Sequence, residues 1–207
     1  YEPYPQGRPW NAHNYKTVTL QDDANSDTTN IFGGANFSFF GNNHTDFVMS
    51  SQGFISFDLT LANVVSPGQF SNSLALPSAA ANQPNNIIAA FWEDLDPSVG
   101  NATIETYLIG TVPNRIRVVN YINVDHFLNA TNGSGDISTF QIVLYESSNI
   151  IQIHSEVLDP DLGGLHVQGI ENATGTVAYT PSGRNNTNFS ATNDYVAFIP
   201  KTQNFNY

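Results

Sequence analysis

The densest acidic side chains are Glu93, Asp94 and Asp96, in the segment FWEDLDPS directly after an apolar run. Carboxylate oxygens are the ligands that calcium takes in proteins, but Ca²⁺ needs about six to eight of them. No D-x-D-x-D loop follows these residues, and that spacing is the mark of a dedicated calcium loop. A pair of carboxylates from distant strands is also the machinery of a glycosidase. The pattern predicts a solvated acidic turn, with a weak calcium site and a secreted hydrolase as the alternatives.

The other residue types that serve catalysis do not form recognised motifs. The five histidines are His13, His44, His126, His154 and His166. They include neither an H-E-x-x-H zinc motif nor a close pair. The chain has no cysteine, which excludes a thiolate nucleophile, a thiolate zinc site and a disulfide scaffold. Gly133-Ser134-Gly135 is not the G-x-S-x-G nucleophile elbow. The sequence therefore predicts a protein that is not an enzyme and has no cofactor beyond attached glycans.

Asparagine is unusually abundant, with 26 residues among 207. Eight positions satisfy the Asn-x-Ser/Thr sequon, whereas chance predicts about four at this content of Asn, Ser and Thr. They are Asn36, Asn43, Asn101, Asn129, Asn132, Asn172, Asn185 and Asn188. Most lie in turn-like sequence, where the backbone is exposed enough to accept a sugar. The sequons predict an N-glycosylated protein that is secreted to the cell surface or matrix.

The charge balance excludes two classes of partner. Six Lys and Arg face eighteen Asp and Glu, for a formal net charge of -12. Nucleic acid and anionic membrane surfaces need clustered basic residues, which this chain does not have. The sequence contains no run of about 18 apolar residues, which is the length that a membrane-spanning helix needs,. We expect neither nucleic-acid binding nor membrane insertion.

Twelve short runs rich in β-branched and aromatic residues are separated by Gly, Pro, Asn and Asp, which is the pattern of strands and turns. They cover residues 15–20, 36–40, 46–50, 53–57, 87–92, 103–109, 115–124, 138–145, 150–157, 166–171, 176–179 and 195–199. No run shows sustained helical periodicity, and residues 59–86 are expected to form an irregular connection with at most one helical turn. The pattern predicts an all-β chain, an antiparallel β-sandwich of about a dozen short strands.

The N-terminal segment YEPYPQGRPWNAHN differs from the rest. Pro3, Pro5 and Pro9 fix an extended path, and they alternate with aromatic residues,. We expect residues 1–20 to form an extended arm and residues 21–207 to form a single sandwich domain.

Several segments in order resemble the nidogen-type extracellular β-domain. The most specific are the S-x-G-F-I-S-F strand (51–57), the I-I-A-x-F-W-x-D-L strand (87–95) and the F-Q-x-x-L-Y-E strand (140–146). The resemblance covers roughly residues 35–180. It implies an extracellular adhesion or matrix module without catalytic residues, and the glycosylated subunit of an extracellular fibril is one such module. Familiar members sit in multidomain chains, often with cysteine-rich neighbours, whereas this sequence contains no cysteine.

An extended arm must be held in place, either on its own domain or in a neighbouring subunit. Donation of a strand to a neighbour's sheet edge would build a head-to-tail homopolymer. The candidate anchors are Tyr4, Trp10, Val18 and Leu20. The sequence thus predicts a fibril or matrix subunit whose partner is itself. The alternative is a monomeric adhesion or carbohydrate-binding module, which would need an exposed aromatic platform on a sheet or near loops such as residues 21–30.

Overall fold

The computed structural model describes residues 9, 11–65, 75–127, 137–160 and 164–201. Over these ranges the chain forms sixteen strands and a single 3₁₀ turn, Leu59–Leu61. The strands in chain order are β1 (His13–Val18), β2 (Thr29–Asn30), β3 (Phe37–Phe39), β4 (Asn42–His44), β5 (Asp46–Met49), β6 (Phe54–Ser56), β7 (Ile87–Trp92), β8 (Leu95–Asp96), β9 (Thr103–Ile109), β10 (Ile116–His126), β11 (Ile137–Tyr145), β12 (Ile151–Leu158), β13 (His166–Glu171), β14 (Ala178–Tyr179), β15 (Asn185–Thr187) and β16 (Ala191–Phe198).

Two seven-stranded antiparallel sheets make up the fold. The first has the order β1-β9-β10-β11-β12-β16, with β8 paired to β10. The second has the order β14-β13-β7-β6-β5-β2, with β15 paired to β13. Strands β3 and β4 form a separate hairpin. The predicted all-β antiparallel sandwich is confirmed.

The core lies between the two sheets. Val119 and Tyr121 of β10 point inward from the first sheet and join Ile55 and Ile88 of the second sheet in one buried cluster. Alternation of side chains along each strand produces this arrangement. Each buried Phe, Ile or Leu of this kind contributes about 2 kcal/mol through removal from water.

Strand β7 is buried on both faces, because all six of its residues are inaccessible to solvent. Its second face carries Trp92 and packs with Phe54, Val167 and Leu76 in a smaller apolar cluster. The continuous apolar run IIAAFW is therefore the sequence of a central strand covered on both sides.

Sequence patterns predicted the longer strands well. The predicted bounds of β7, β9 and β13 match the structure. Strands β2, β4, β8 and β15 were not predicted, because two or three residues show no periodicity and segments such as NNH and NNT are typical of turns,. No helix in the described ranges has the length and apolar character needed to cross a membrane.

Candidate functional site

The first sheet has two edges, β1 and β16, at opposite sides. Strand β1 pairs with β9, and five of its six residues are exposed. Strand β16 pairs with β12 along one side, and no described strand pairs with its other side. An unpaired edge presents a row of N–H and C=O groups that can accept another strand.

The predicted anchors of the arm fall into two groups. Tyr4 and Trp10 lie outside the described residues. Val18 and Leu20 are only 8% and 6% exposed and belong to the chain's own core cluster. This differs from the expectation that they insert into a neighbour, since β1 closes on β9 of the same chain. Because residues 13–18 pair within the chain's own first sheet, the arm proposed for donation is limited to residues 1–12.

Four of the predicted glycosylation sites are exposed: Asn36 just before β3, Asn43 within β4, Asn101 in the turn before β9, and Asn188 just after β15. A glycan attached at these positions meets solvent. Asn129 and Asn132 lie outside the described residues.

In three of the sequons, Asn172, Asn185 and Asn188, the side-chain nitrogen that a glycan would modify already donates a hydrogen bond. Asn185 Nδ2 donates to Leu76 O at 2.7 Å, and its Oδ1 accepts from Leu76 N at 2.8 Å. Asn172 Nδ2 donates to the hydroxyls of Thr174 and Thr176. Asn188 is exposed, and its Nδ2 donates to Gly164 O at 3.0 Å. Asn185 is the least suited of the three to carry a glycan, because both its amide nitrogen and its amide oxygen form hydrogen bonds with the backbone of Leu76.

Glu93 is not part of a solvated acidic turn, although Asp94 beside it is exposed. The Glu93 side chain is 3% exposed, and its two oxygens face two histidines. Nδ1 of His126 lies 2.8 Å from Oε1, and Nδ1 of His166 lies 2.9 Å from Oε2. We call Glu93, His126 and His166 the buried triad.

The electrostatics of the buried triad favour an ionised Glu93. Burial raises the pKa of its carboxyl, but the hydrogen bonds and charges of His126 and His166 outweigh burial and hold this pKa below its ordinary value. Nε2 of His126 also contacts the Asp159 carbonyl oxygen. Both ring nitrogens of His126 therefore face oxygen atoms, an arrangement that suits a doubly protonated ring,.

The buried triad is a structural contact between sheets. His126 ends β10 of the first sheet, whereas Glu93 follows β7 and His166 begins β13 of the second. Since the three side chains are at most 3% exposed, a substrate cannot reach the carboxylate. Sequence reasoning missed this contact because the three residues are brought together only by the sheet topology.

Asp94 lies outside the buried triad, close to the carboxylates of Asp22 and Asp23. The carboxylate oxygens of Asp22, Asp23 and Asp94 lie within 4.8 Å of one another. Burial, Asp23, Asp96 and Asp94 together raise the pKa of Asp22 to about 6. Asp96 itself is 6% exposed and accepts hydrogen bonds from Ser98 N and Oγ. The predicted calcium set is thus rearranged, because Glu93 is engaged elsewhere and Asp22 and Asp23 approach Asp94. Calcium binding here stays a prediction.

Comparison with known proteins supports the resemblance seen in the sequence. The model of a family described as NIDO related matches residues 4–205, nearly the whole chain. Neither the curated proteins nor the solved structures gave a match.

Proposed function

Because this chain belongs to the NIDO-related family, whose domains are of the extracellular matrix type and non-enzymatic, we propose that it is a secreted, N-glycosylated structural protein. Its N-terminal arm is donated to the next copy, and the copies form a fibril or matrix by head-to-tail addition. The partner is a second copy of the same chain.

The arrangement of the first sheet carries this proposal. The chain joins the first sheet at one edge through β1, and at the other edge one side of β16 is paired with none of the described strands. A contact between two different surfaces that does not close into a ring produces an open filament. One domain with an arm at one edge and an acceptor strand at the other meets this requirement.

N-glycosylation is proposed chiefly for Asn36, Asn43 and Asn101. Glycans at these positions would place the protein outside the cell. Glycopeptide mass spectrometry of the natively produced protein measures occupancy at each sequon. We expect these three sites to be occupied more fully than Asn185, whose amide holds Leu76. High occupancy at Asn185 together with bare Asn36, Asn43 and Asn101 would contradict the assignment.

The arm is tested by deletion of residues 1–12, which ends before β1. We expect the full chain to sediment as long assemblies and the deletion variant to sediment as a single domain. Deletion of residues 202–207 serves as the matched control and should leave assembly intact. Circular dichroism checks that both variants keep their strands. Assembly that survives loss of residues 1–12 would overturn the proposal.

The monomeric adhesion or carbohydrate-binding module remains the alternative from the sequence. The loop of residues 21–30 has no aromatic residue, so it offers no platform for sugar stacking. A glycan array probed with the monomeric deletion variant tests this alternative directly.

A further inference from the structure

We propose that the arm of one copy binds in a groove between the two sheets of the next copy, beside β16. We call it the seam groove. Its main apolar lining residues are Phe39, Phe40, Ile170, Tyr179, Phe198 and Ile199. This inference rests on the proposed function and specifies the acceptor that strand donation requires. The occupant is residues 1–10 of a second copy.

The seam groove opens where the two sheets end on the same side. Phe198 belongs to β16 at the edge of the first sheet, and Tyr179 belongs to β14 at the edge of the second. The cavity has a volume of about 520 Å³. This volume suits one or two large side chains, since ligand pockets in proteins measure about 300–1,000 Å³.

The groove exposes apolar surface that proteins usually cover. Tyr179 is 60% exposed and Ile199 is 70% exposed. The Tyr179 ring stacks on Phe40 with 5.9 Å between ring centroids. This contact holds the Tyr179 ring in place as one side of the groove. Contiguous exposed apolar surface of this kind marks an interaction site.

The sequence of the arm fits a strand that pairs along one side only. In an extended chain the N–H groups of alternate residues point to the same side. Pro3, Pro5 and Pro9 all occupy odd positions, and proline has no N–H to donate. The even positions retain every donor and include Tyr4 and Trp10. Such an arm can pair with β16 through its even residues, and its other side resists further strands.

The groove offers one cation to the carboxylate of the arm. Lys201 is the cation among the residues that line the groove, and the arm carries one acidic residue, Glu2, and one basic residue, Arg8. In a chain with net charge -12, a basic residue at this position reduces the repulsion between two copies.

Chain length favours the arm of a second copy over the chain's own arm. Five strand spacings separate β1 from β16, which is about 24 Å. Crossing that distance consumes about seven extended residues, so too few of residues 1–12 would remain to pair along the eight residues of β16. The arm of a neighbouring copy does not have to cross its acceptor's sheet.

The absence of cysteine makes disulfide trapping a clean test. One protein carries Gln6→Cys and a second carries Ile199→Cys, so that a disulfide between them must be intermolecular. The matched control replaces Ile199→Cys with Val112→Cys, because Val112 is 68% exposed and lies between β9 and β10, near the β1 edge. Mass spectrometry of the oxidised mixtures identifies the linked peptides. We expect a link between positions 6 and 199 at least tenfold more abundant than one between positions 6 and 112.

A second variant tests the groove without a cross-link. Ile199→Asp places a charge on the apolar wall and should abolish sedimentable assembly, whereas Val112→Asp should leave it unchanged. Both residues are exposed, so neither change should unfold the domain.

The outcomes separate this inference from the proposed function. Assemblies that need residues 1–12 but link position 6 elsewhere, or that survive Ile199→Asp, would overturn the seam groove alone. No assembly and no intermolecular link would overturn the proposed function as well. A link between positions 6 and 199 seen only after deletion of residues 202–207 would show that the chain's own C-terminal segment is the occupant, and would also overturn the inference.

Discussion

At the scale of single residues, the buried triad adds an ionic contact between the two sheets to their shared apolar core. The carboxylate oxygens of Glu93 lie 2.8 Å from Nδ1 of His126 in the first sheet and 2.9 Å from Nδ1 of His166 in the second. The ring of His166 also packs against Phe91 with 5.0 Å between centroids. Loss of one partner of a buried ion pair leaves the other charge uncompensated, which costs about 3–5 kcal/mol.

Glu93→Gln should therefore lower the free energy of unfolding by about 3 kcal/mol, because it removes the buried carboxylate that pairs with both histidine rings. Urea unfolding at pH 7 measures the change. Asp27→Asn is the control, since Asp27 is exposed and its loss should change stability by less than about 0.5 kcal/mol. A Glu93→Gln variant as stable as Asp27→Asn would show that the triad does not hold the sheets together.

A second buried carboxylate, Glu171, lies at the end of β13 and is fully buried. Its Oε1 accepts from Ser78 N at 2.6 Å, and the Asn85 amide can donate to Oε2 at 3.0 Å. Burial, only partly offset by the Ser78 hydrogen bond, raises its pKa to about 7. The pKa of Glu171 is therefore higher in the folded state than in the unfolded state. At pH values between about 4.5 and about 7, Glu171 is protonated in the folded protein and ionised in the unfolded chain.

The stability that protonated Glu171 contributes is fully present below about pH 4.5 and is lost as the pH rises through about 7,. Glu171→Gln keeps an acceptor for Ser78 and cannot ionise. We expect wild-type stability relative to this variant to fall by about 2 kcal/mol between pH 5 and pH 8. Thermal melts at both pH values measure the difference, and Asp27→Asn should follow the wild-type profile. A constant difference at both pH values would be inconsistent with titration of Glu171.

At the scale of elements, Gly53 allows the chain just before β6 to lie against the backbone of β7. Gly53 has φ +76°, and a Cβ there would lie 2.1 Å from the carbonyl oxygen of Phe91. Its own carbonyl accepts from both Ala90 N and Phe91 N. The close approach of β6 to β7 thus requires a residue without a side chain.

Gly53→Ala should destabilise the protein by about 3 kcal/mol or more, because backbone must move to admit the methyl group. Gly41→Ala is the matched control. Gly41 also has positive φ, +82°, but a Cβ there meets no atom within 4 Å, so only the backbone strain of about 1 kcal/mol applies. Urea unfolding of the two variants should separate these costs. Equal losses would mean that the contact with Phe91 is not what selects glycine.

The elements also show what the sequence could predict. Strands such as β7 and β9 were predicted with their bounds, because apolar runs flanked by turn residues are local signals,. The exposure of Asn36, Asn43 and Asn101 followed from the same turn signals. The approach of Asp22 and Asp23 to Asp94 and the buried triad were not predicted, since these contacts depend on strand order. The only advance sign of the acidic cluster was the adjacent pair Asp22-Asp23 in a polar loop.

At the scale of the whole molecule, the two edges of the first sheet differ, because the chain enters at β1 and one side of β16 is paired with none of the described strands. The formal net charge of -12 opposes the close approach of two copies,. In the proposed fibril, growth by addition of one arm to one acceptor would need no second type of subunit.

The most direct test of fibril assembly is negative-stain electron microscopy of the natively secreted material before any purification. We predict regular fibres whose repeat corresponds to one domain and which contain this chain, as confirmed by mass spectrometry of the same sample. Dispersed particles of single-domain size, with the chain present and no fibres, would contradict the account.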